Sequence, residues 1–442
     1  MLDRIDEATR WALRWQSSRR APGLALVITD RNQTRHVELS GLADRDGMRP
    51  VDAAQRWQIG SISKAFSSIA VLQLQSQGKL SVDDRVTDHL PLATHLDPAI
   101  TLHHLMTHTA GLPGGSEWTP DSLLESAMQG AVGAPQPPGS PFWYSNPGYE
   151  LLGDVIESVA GRPLETHLEE RVLRPLGMTH SAASVVSADH GVDVRGHRPP
   201  QDDALWRGEI EQTPDVLFPT CTADGAITAT PEDMGHYLRF LLNGGAKGVL
   251  GPDDFARLSD RHVPVDDGWY GYGLDTDEPE GQVTLGHSGG MVGMFADVRV
   301  DADRGVGTCM LVNGYADVSE ANKHVLRLLC HLPSDEPRWP RPEPLEDSAD
   351  HPHRAAAGLY RSYNPWQPTL RVALIDGELR LVNPVTGSFD VLYPESESRF
   401  RVGRADSPDV VDVSVKVGGR FKRLDLSGCV YGRARRDPCD IG

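Results

Sequence analysis

The sequence predicts an α/β protein with an antiparallel sheet, a helical subdomain and a separate all-β domain at the C-terminal end. Strand-like segments occur near residues 23–42 and again near residues 283–312, whereas the stretch between them is mostly typical of helix. Strands at both ends of a helical region indicate one sheet assembled from distant parts of the chain. After residue 353 the pattern changes to alternating apolar residues and glycine-containing turns, which indicates a second domain made of strands.

The N-terminal part of the chain predicts a helix, a hairpin and a second, very apolar helix. The first helix is expected over residues 2–16, and two strands over residues 23–28 and 36–42 form the hairpin. The second helix opens near residue 59 and ends near Gly78, since glycine suits the position after a helix end. Because this helix is apolar on nearly all sides, we expect it to lie inside the core. Its apolar residues are Phe66, Ile69, Ala70, Val71, Leu72 and Leu74.

The rest of the first domain, predicted as residues 1–330, mixes helices and strands. Helices are expected over residues 153–160 and 164–173, within a stretch that is broken by Pro-Gly pairs. The end of the domain is expected to contain strands over residues 283–287, 295–300 and 306–312, and a closing helix over residues 325–330. These late strands supply the second half of the predicted sheet.

A linker is predicted over residues 331–353, where six prolines stand among acidic residues. Such a composition neither forms a helix nor builds its own core. Residues 354–442 then predict a small all-β domain, a barrel or a sandwich, with a hairpin turn at Asp376 and Gly377. A further strand is indicated by the alternation of Val411, Val413, Val415 and Val417.

Composition limits the possible partners and location. The chain of 442 residues is 39% hydrophobic and 24% charged, as in soluble globular proteins, and its formal net charge is −19. This charge argues against nucleic acid or an anionic membrane surface as a partner. The charged N-terminus lacks the apolar core of a secretion signal, and no apolar run approaches the length of a membrane span, so we expect a cytoplasmic protein. The scattered cysteines, which form no paired motif, fit reduced thiols: Cys221, Cys309, Cys330, Cys429 and Cys439.

The second helix begins with a Ser-x-x-Lys motif that can supply a nucleophile and its base. Residues three apart share one face of a helix, so Ser61 and Lys64 must lie together. A buried lysine tends to lose its proton and can then accept one from a serine hydroxyl. The partial positive charge of the helix N-terminus favours an oxyanion beside Ser61. The alternative is that Ser61 only caps the helix and that Lys64 is an exposed lysine of its first turn.

Two further motifs add possible site residues. Tyr144 and Asn146 stand in a loop flanked by proline and glycine, where a phenol near an ammonium group can relay protons. His287 is followed by Ser288, Gly289 and Gly290 after a predicted strand, and the glycines allow a substrate backbone to approach a strand edge. Taken separately, the first motif could be an aromatic loop plug and the second a tight turn with an incidental histidine.

Taken together, the order and spacing of these motifs resemble the serine β-lactamase and penicillin-binding-protein superfamily. The similarity is strongest to its class C-like branch of esterases, D-stereospecific aminopeptidases and penicillin-binding-protein-type thioesterases, and it covers about residues 22–330, including the motif at residues 105–112. The resemblance implies an antiparallel sheet flanked by helices, with Ser61 as the acylated nucleophile and Lys64 as its base partner. It also implies that Tyr144 relays protons, that Asn146 orients the substrate amide, and that no metal or cofactor is needed.

The same resemblance suggests roles for the strand motif. The backbone N–H groups of Ser61 and Gly290 correspond to the oxyanion hole, and Ser288 and Gly289 would contact substrate. His287 stands where penicillin-recognising members have the lysine of Lys-Thr-Gly. Without that fixed positive charge, we do not expect efficient binding of the carboxylate of a β-lactam.

The predicted reaction is acyl transfer through Ser61 to a small peptide or ester substrate. The β-rich tail is similar to the lipocalin-like domain of thioesterases that release nonribosomal peptides by macrolactamisation, so a carrier-bound peptidyl thioester is the expected substrate. A D-stereospecific aminopeptidase or an esterase is the alternative, and a non-catalytic binding module is an alternative of another class. One of Arg433, Arg435 and Arg436 could pair with the substrate carboxylate over Ser61, or the three could form a solvated basic terminus.

Overall fold

The first domain is built on a nine-stranded antiparallel sheet. The computed structural model describes residues 2–114, 135–184, 194–199, 211–212, 221–265, 268–337, 351–362 and 369–434. The strands of the sheet are β1 (Gly23–Asp30), β2 (Thr34–Asp44), β3 (Arg49–Pro50), β8 (Val263–Val265), β9 (Gly268–Tyr270), β10 (Asp275–Asp277), β11 (Thr284–Met291), β12 (Met294–Asp301) and β13 (Val306–Val312). Their order is β3-β2-β1-β13-β12-β11-β10-β9-β8, so the N-terminal hairpin joins strands from the end of the domain. This confirms the prediction of a sheet assembled from distant segments.

Helices cover both faces of this sheet. The described helices are α1 (Leu2–Arg19), α2 (Ser63–Ser76), α3 (Val86–His89), α4 (Leu102–Met106), α5 (Asn146–Ala160), α6 (Leu164–Leu168), α7 (Arg174–Leu176), α8 (Pro231–Leu242), α9 (Pro252–Ser259) and α10 (Val318–Leu329). A π-helical turn, Glu169–Leu173, joins α6 to α7. Among these described helices, none is both long enough and apolar enough to cross a bilayer.

The two faces of β1 pack into two different cores. Leu24, Leu26 and Ile28 belong to a core shared with α1 and α10, whereas Ala25 and Val27 belong to the larger core around α2. This division follows from the period of two along a strand. Within the larger core, α2 is buried on all sides from Ser63 to Leu72, as its sequence predicts. Four short strands outside the sheet form two pairs, β4 (Trp57–Gln58) with β7 (Thr228–Ala229) and β5 (His197–Arg198) with β6 (Glu211–Gln212).

Some boundaries differ from the sequence-based expectation. Helix α5 begins at Asn146 and not near residue 153, because Ser145 Oγ accepts from the Gly148 N–H (3.4 Å) and Pro147 occupies the first turn. Helix α10 likewise begins at Val318, because the side chain of Asp317 caps it. Strands β8, β9 and β10 were not predicted, since three residues are too few to reveal an alternating pattern.

The C-terminal domain is a closed eight-stranded barrel. Its strands are β14 (Gly358–Arg361), β15 (Leu370–Ile375), β16 (Glu378–Val382), β17 (Phe389–Pro394), β18 (Arg399–Val402), β19 (Val410–Val417), β20 (Arg420–Leu426) and β21 (Cys429–Arg433). Each strand pairs with the next, and β21 pairs with β14. The predicted all-β domain is thus a barrel with its own core. The predicted alternation along β19 holds for Val411 and Val413 only, because Val415 has a φ of +58° and is skipped in the pairing with β20.

Candidate active site

The N-terminal end of α2 approaches strand β11 through a glycine. Gly60 begins a single 3₁₀ turn, Gly60–Ile62, and has a φ of +54°. A Cβ atom on Gly60 would lie 2.7 Å from the nitrogen and 2.8 Å from the oxygen of Gly290, closer than non-bonded atoms can come. Only glycine therefore allows the backbone of Ser61 to lie beside Gly290. The two N–H groups assigned by resemblance to an oxyanion hole are carried by these adjoining segments.

Lys64 is fully buried and has three oxygen neighbours. Its Nζ lies 3.1 Å from Ser61 Oγ, 2.8 Å from Asn146 Oδ1 and 3.0 Å from the main-chain oxygen of Asp224. The amide oxygen and the main-chain oxygen can only accept, so each takes one N–H from the lysine. The third position of Nζ faces Ser61 Oγ. An ammonium donates to Oγ there, and a neutral amine accepts from the Ser61 hydroxyl, so the proton can move between them without any rearrangement of heavy atoms.

Asp224 contributes to the site through its backbone, which the sequence did not reveal. The segment around it is fixed to α2, because Ser67 Oγ donates to Ala223 O (2.7 Å) and the Ile227 N–H donates to Ser63 Oγ (3.2 Å). A main-chain carbonyl can belong to any residue type, so no motif identifies it. The buried serines on α2 are the only available hint, since their hydroxyls require partners.

Tyr144 lies beside Lys64 and between two histidine rings. Its ring centroid is 4.9 Å from Lys64 Nζ, 4.3 Å from the His108 ring and 6.2 Å from the His287 ring. The structure therefore brings Ser61, Lys64, Tyr144 and His287 into one site together with Asn146. In the described part of the chain, the Tyr144 hydroxyl makes no hydrogen bond with Ser61 or Lys64, and its role as a proton relay stays a prediction.

His287 is buried on β11 and both of its ring nitrogens have partners. Nε2 lies 3.1 Å from the hydroxyl of Tyr270, and Nδ1 donates to the main-chain oxygen of Ser288. Burial lowers the pKa of His287 to about 4, so the ring is neutral at pH 7. The site thus has no fixed positive charge at this position. Tyr270 was missed by the sequence analysis, because its partner lies on another strand.

Strand β11 offers a free edge next to Ser61. Its pairing with β10 involves only the residues from Thr284 to Gly286, and within the described chain no strand continues beside residues 288–290. A cavity of about 600 Å³ adjoins these residues and is also lined by Phe295, Tyr315 and barrel residues 385–388. Ser288 and Gly289, which the resemblance assigns to substrate binding, therefore border an open space.

The barrel also contacts the loop that precedes Asn146. A second cavity, of about 660 Å³, is lined by Tyr144 and by barrel residues that include Asp390 and Arg404. Arg404 donates to the main-chain oxygens of Phe142 (2.7 Å) and Pro141 (3.2 Å). The barrel therefore forms part of the wall around Tyr144.

Of the arginines singled out in the sequence, the structure describes Arg433. Arg433 lies against the barrel's own residues: its guanidinium is 5.9 Å from the Tyr360 ring centroid and donates to Phe421 O (3.4 Å). Arg435 and Arg436 lie outside the described residues. Arg404 is a barrel arginine that contacts the first domain, and a single arginine in a loop has no sequence signal that could have identified it.

Comparisons with known proteins agree with this arrangement. Esterase EstB of Burkholderia gladioli is 32% identical over 198 residues, which are 40% of this chain and 50% of EstB. Penicillin-binding protein 4 of Amycolatopsis lactamdurans is 26% identical over 318 residues, which are 66% of this chain and 81% of that protein. The chain thus spans about half the length of EstB and more of the second relative.

A solved structure extends the similarity to the barrel. The octameric penicillin-binding protein homologue from Pyrococcus abyssi superposes with a TM-score of 0.66 at 23% identity, and the match covers 97% of this chain and 99% of that one. At this identity the similarity concerns the fold. The family model named Beta-lactamase matches residues 4–331, the whole domain that contains Ser61 and Lys64. The chain therefore belongs to the Beta-lactamase family.

Proposed function

We propose that this protein is a serine acyl-enzyme catalyst in which Ser61 is the nucleophile and Lys64 its base. The observation that supports this most directly is the set of neighbours of Lys64 Nζ: Ser61 Oγ at 3.1 Å and two carbonyl oxygens. The two carbonyls fix the amine, and the remaining direction faces the serine hydroxyl. A positioned base of this kind contributes about 10²–10⁴-fold to a proton-transfer step.

The proposed acylation uses this geometry. Ser61 Oγ attacks the carbonyl carbon of the substrate, and the hydroxyl proton passes to Lys64 Nζ as the new C–O bond forms. The backbone N–H groups of Ser61 and Gly290 donate to the oxyanion. When the tetrahedral intermediate collapses, the bond to the leaving group breaks and that group takes up the proton, with Tyr144 as the relay. Water or an amine then attacks the acyl carbon, gives up a proton through Lys64 to Ser61 Oγ, and releases the acyl group as the Ser61 ester bond breaks.

The acyl group is proposed to be a peptidyl group held as a thioester, with release by macrolactamisation. A cavity beside Tyr144 and another beside residues 288–290 support this proposal, because each has walls from the barrel and offers more room than a small ester fills. Such walls hold a folded-back chain so that its amine lies near the acyl-enzyme, which favours cyclisation over hydrolysis through positioning. A carrier protein would present this substrate in the cytoplasm.

Hydrolysis of esters or of D-configured peptides is the second candidate. It is supported by the similarity to a protein named as an esterase, which is 32% identical over its matched region. The same acyl-enzyme serves both reactions, since only the acceptor differs. The two candidates therefore share Ser61 and diverge at the second step.

The nucleophile is tested by covalent labelling. A fluorophosphonate should add to the peptide that contains Ser61, and Ser61→Ala should abolish labelling and turnover while the circular dichroism spectrum is retained. Ser76→Ala, at the other end of α2 and exposed, is the matched control and should label like the wild type. Labelling that persists in Ser61→Ala would rule out this nucleophile.

The acceptor is tested with peptide thioesters that have a D-residue at the acyl position. Cyclic product supports the proposed release by macrolactamisation, whereas linear acid alone from several such thioesters supports the hydrolytic candidate. Benzylpenicillin should acylate Ser61 slowly in either case, because neutral His287 cannot hold its carboxylate. Rapid catalytic opening of the β-lactam ring would contradict this account of the pocket.

A further inference from the structure

Three buried side chains form a row behind Tyr144. His108, Tyr270 and His287 are 2%, 3% and 5% exposed. His108 Nε2 lies 3.2 Å from the Tyr270 hydroxyl, which lies 3.1 Å from His287 Nε2. The Nδ1 atoms of the two histidines, which point away from Tyr270, make hydrogen bonds with main-chain groups. The Ser145 N–H donates to His108 Nδ1 (3.0 Å), and His287 Nδ1 donates to Ser288 O. We call His108, Tyr270 and His287 the buried bridge.

The backbone groups at the two ends determine where every proton of the buried bridge lies. The Ser145 N–H can only donate, so His108 Nδ1 has a free lone pair and a neutral His108 has its proton on Nε2. Ser288 O can only accept, so His287 has its proton on Nδ1 and a lone pair on Nε2. The hydroxyl of Tyr270 therefore accepts from His108 and donates to His287. Every donor meets one acceptor, and no other arrangement of neutral rings does this.

The surroundings favour neutral rings. Burial is the main cause that lowers the pKa of both histidines, and the nearby positive charge of Lys64 acts in the same direction. The other groups that face the buried bridge are Asp275 and Arg299, which act in opposite directions on His287, and the phenols of Tyr144 and Tyr149. An added proton on His108 would place an N–H at Nδ1 that faces the Ser145 N–H. An added proton on His287 would force the Tyr270 hydroxyl to turn away and accept from it.

The buried bridge connects the two walls of the active site. One end holds the N–H of Ser145, the residue between Tyr144 and Asn146, and the other end holds the carbonyl of Ser288, two residues before Gly290. The Tyr144 ring also lies against both histidines. A change in the length of the bridge would therefore move Tyr144 and Asn146 relative to the strand edge that faces Ser61.

We propose that His108, Tyr270 and His287 are positioning residues that set the separation between the loop of residues 144–146 and the strand edge of residues 288–290. In this role His287 exchanges no proton with the substrate, because both of its nitrogens are engaged within the protein. This inference rests on the proposed function of Ser61. It differs from the expectation that His287 is a catalytic residue.

The first test is spectroscopic and does not depend on activity. The ¹⁵N shifts of the imidazole rings in the wild-type protein at pH 7 should identify His287 as the Nδ1–H tautomer and His108 as the Nε2–H tautomer. An imidazolium or an Nε2–H tautomer at His287 would overturn the proposal. Because no variant is needed, this result stands even if substitutions in the core fail to fold, and even if Ser61 is not the nucleophile.

The second test is kinetic. Tyr270→Phe should lower kcat for a p-nitrophenyl ester about 10- to 100-fold with little change in KM, as expected when reacting groups are displaced. Tyr272→Phe is the matched control, because Tyr272 is also 3% exposed and also binds a histidine, with its hydroxyl 2.8 Å from His103 Nδ1. The control should retain the wild-type kcat. A Tyr270→Phe enzyme within twofold of the wild type would overturn the proposal.

A double-mutant cycle separates positioning from proton transfer by His287. If the buried bridge acts as a unit, His287→Gln and Tyr270→Phe should cause similar losses, and the double variant should be no worse than the poorer single variant. If His287 exchanges protons with the substrate, His287→Gln should be far more damaging than Tyr270→Phe and the losses should add. Additive losses in the double variant would reject this inference. If a fluorophosphonate still labels Ser61 in the wild type, the proposed function remains intact.

Discussion

Asp409 provides the sharpest test of whether the barrel is part of the active site. This half-buried barrel carboxylate accepts from Trp143 Nε1–H (2.9 Å), from the Gly114 N–H (3.1 Å) and from Ser427 Oγ (2.8 Å). Trp143 precedes Tyr144, and Gly114 O accepts from the Asn146 N–H (3.0 Å). We predict that Asp409→Ala both destabilises the protein and slows catalysis.

The magnitude follows from the groups that lose their acceptor. The half-buried Trp143 and Gly114 N–H groups would lose their acceptor at about 1 kcal/mol each, since water can partly replace it, whereas the Ser427 hydroxyl can turn to another acceptor. Part of this cost is offset, because burial raises the pKa of Asp409 and its ionised form is itself disfavoured. We expect a net loss of about 1–2 kcal/mol in the free energy of unfolding. Asp409→Asn should lose less, since its amide oxygen can still accept from Trp143.

The assay pairs urea denaturation with ester hydrolysis. Displacement of the loop by about 1 Å should lower kcat about 10- to 100-fold. Asp406→Ala is the control, because this exposed carboxylate in the same loop only pairs with Arg404 at the surface, and such pairs contribute about 0–1 kcal/mol. If Asp409→Ala matches Asp406→Ala in both stability and kcat, the barrel does not hold the loop and the reasoning is wrong.

Three further predictions concern the first domain. Gly60→Ala should lower kcat about 10²-fold, because its Cβ would displace the Gly290 N–H, and activity within tenfold of the wild type would contradict the close approach. Asn146→Asp should lower kcat at least about 10²-fold at pH 7, because a carboxylate would keep the proton on Lys64; an unchanged rate would contradict the base assignment. The pKa of His287 is about 4 in the folded protein, below its ordinary value of 6.5. The unfolded chain therefore binds a proton first, and stability present above pH 6.5 is lost as the pH falls towards 4. In His287→Gln, the free energy of unfolding, measured by urea denaturation, should therefore fall by about 3 kcal/mol less between pH 6.5 and pH 4 than in the wild type. The same pH dependence in both proteins would refute this prediction.

The sequence predicted the local part of the site correctly. Ser61 and Lys64 are three residues apart in consecutive helical turns, and the apolar run after them required burial, so their proximity follows from chain geometry alone. The sheet assembled from distant segments and the all-β tail followed from hydrophobic periodicity. Tyr144, Asn146 and His287 were brought to the same site only through the family resemblance, because nothing in their own spacing joins them.

The remaining parts depend on contacts between distant segments. Tyr270 lies on a strand of three residues, and its hydrogen bonds reach His108 and His287 on other elements. Asp224 contributes a carbonyl, which has no sequence signature. Arg404 acts from the barrel, and only the packing of two domains makes it a neighbour of Phe142. Each of these features requires tertiary structure that periodicity does not encode.

Two fully buried cations in the first domain differ in a way that bears on the role of Lys64. Arg299 is surrounded by the carboxylates of Asp275, Asp277 and Asp297, and these charges raise its pKa against the opposing effect of burial. It is a permanent cation that holds strands β10 and β12 together. The hydrogen-bond partners of Lys64 Nζ are a hydroxyl and two carbonyl oxygens, and the ring centroids of Tyr144 and Tyr149 lie 4.9 and 5.5 Å from it. In the described residues no carboxylate pairs with Lys64.

This contrast arises in a chain with a formal net charge of −19, where acidic side chains are plentiful. A buried lysine that served only to hold the fold would be expected to have a counterion, because an unpaired buried charge is costly. The neutral oxygens around Lys64 satisfy its N–H groups without fixing its charge, and His287 adds no charge because it is neutral. The described surroundings of Lys64 therefore contain no counterion that would oppose the role of base that we propose for it in the acylation of Ser61.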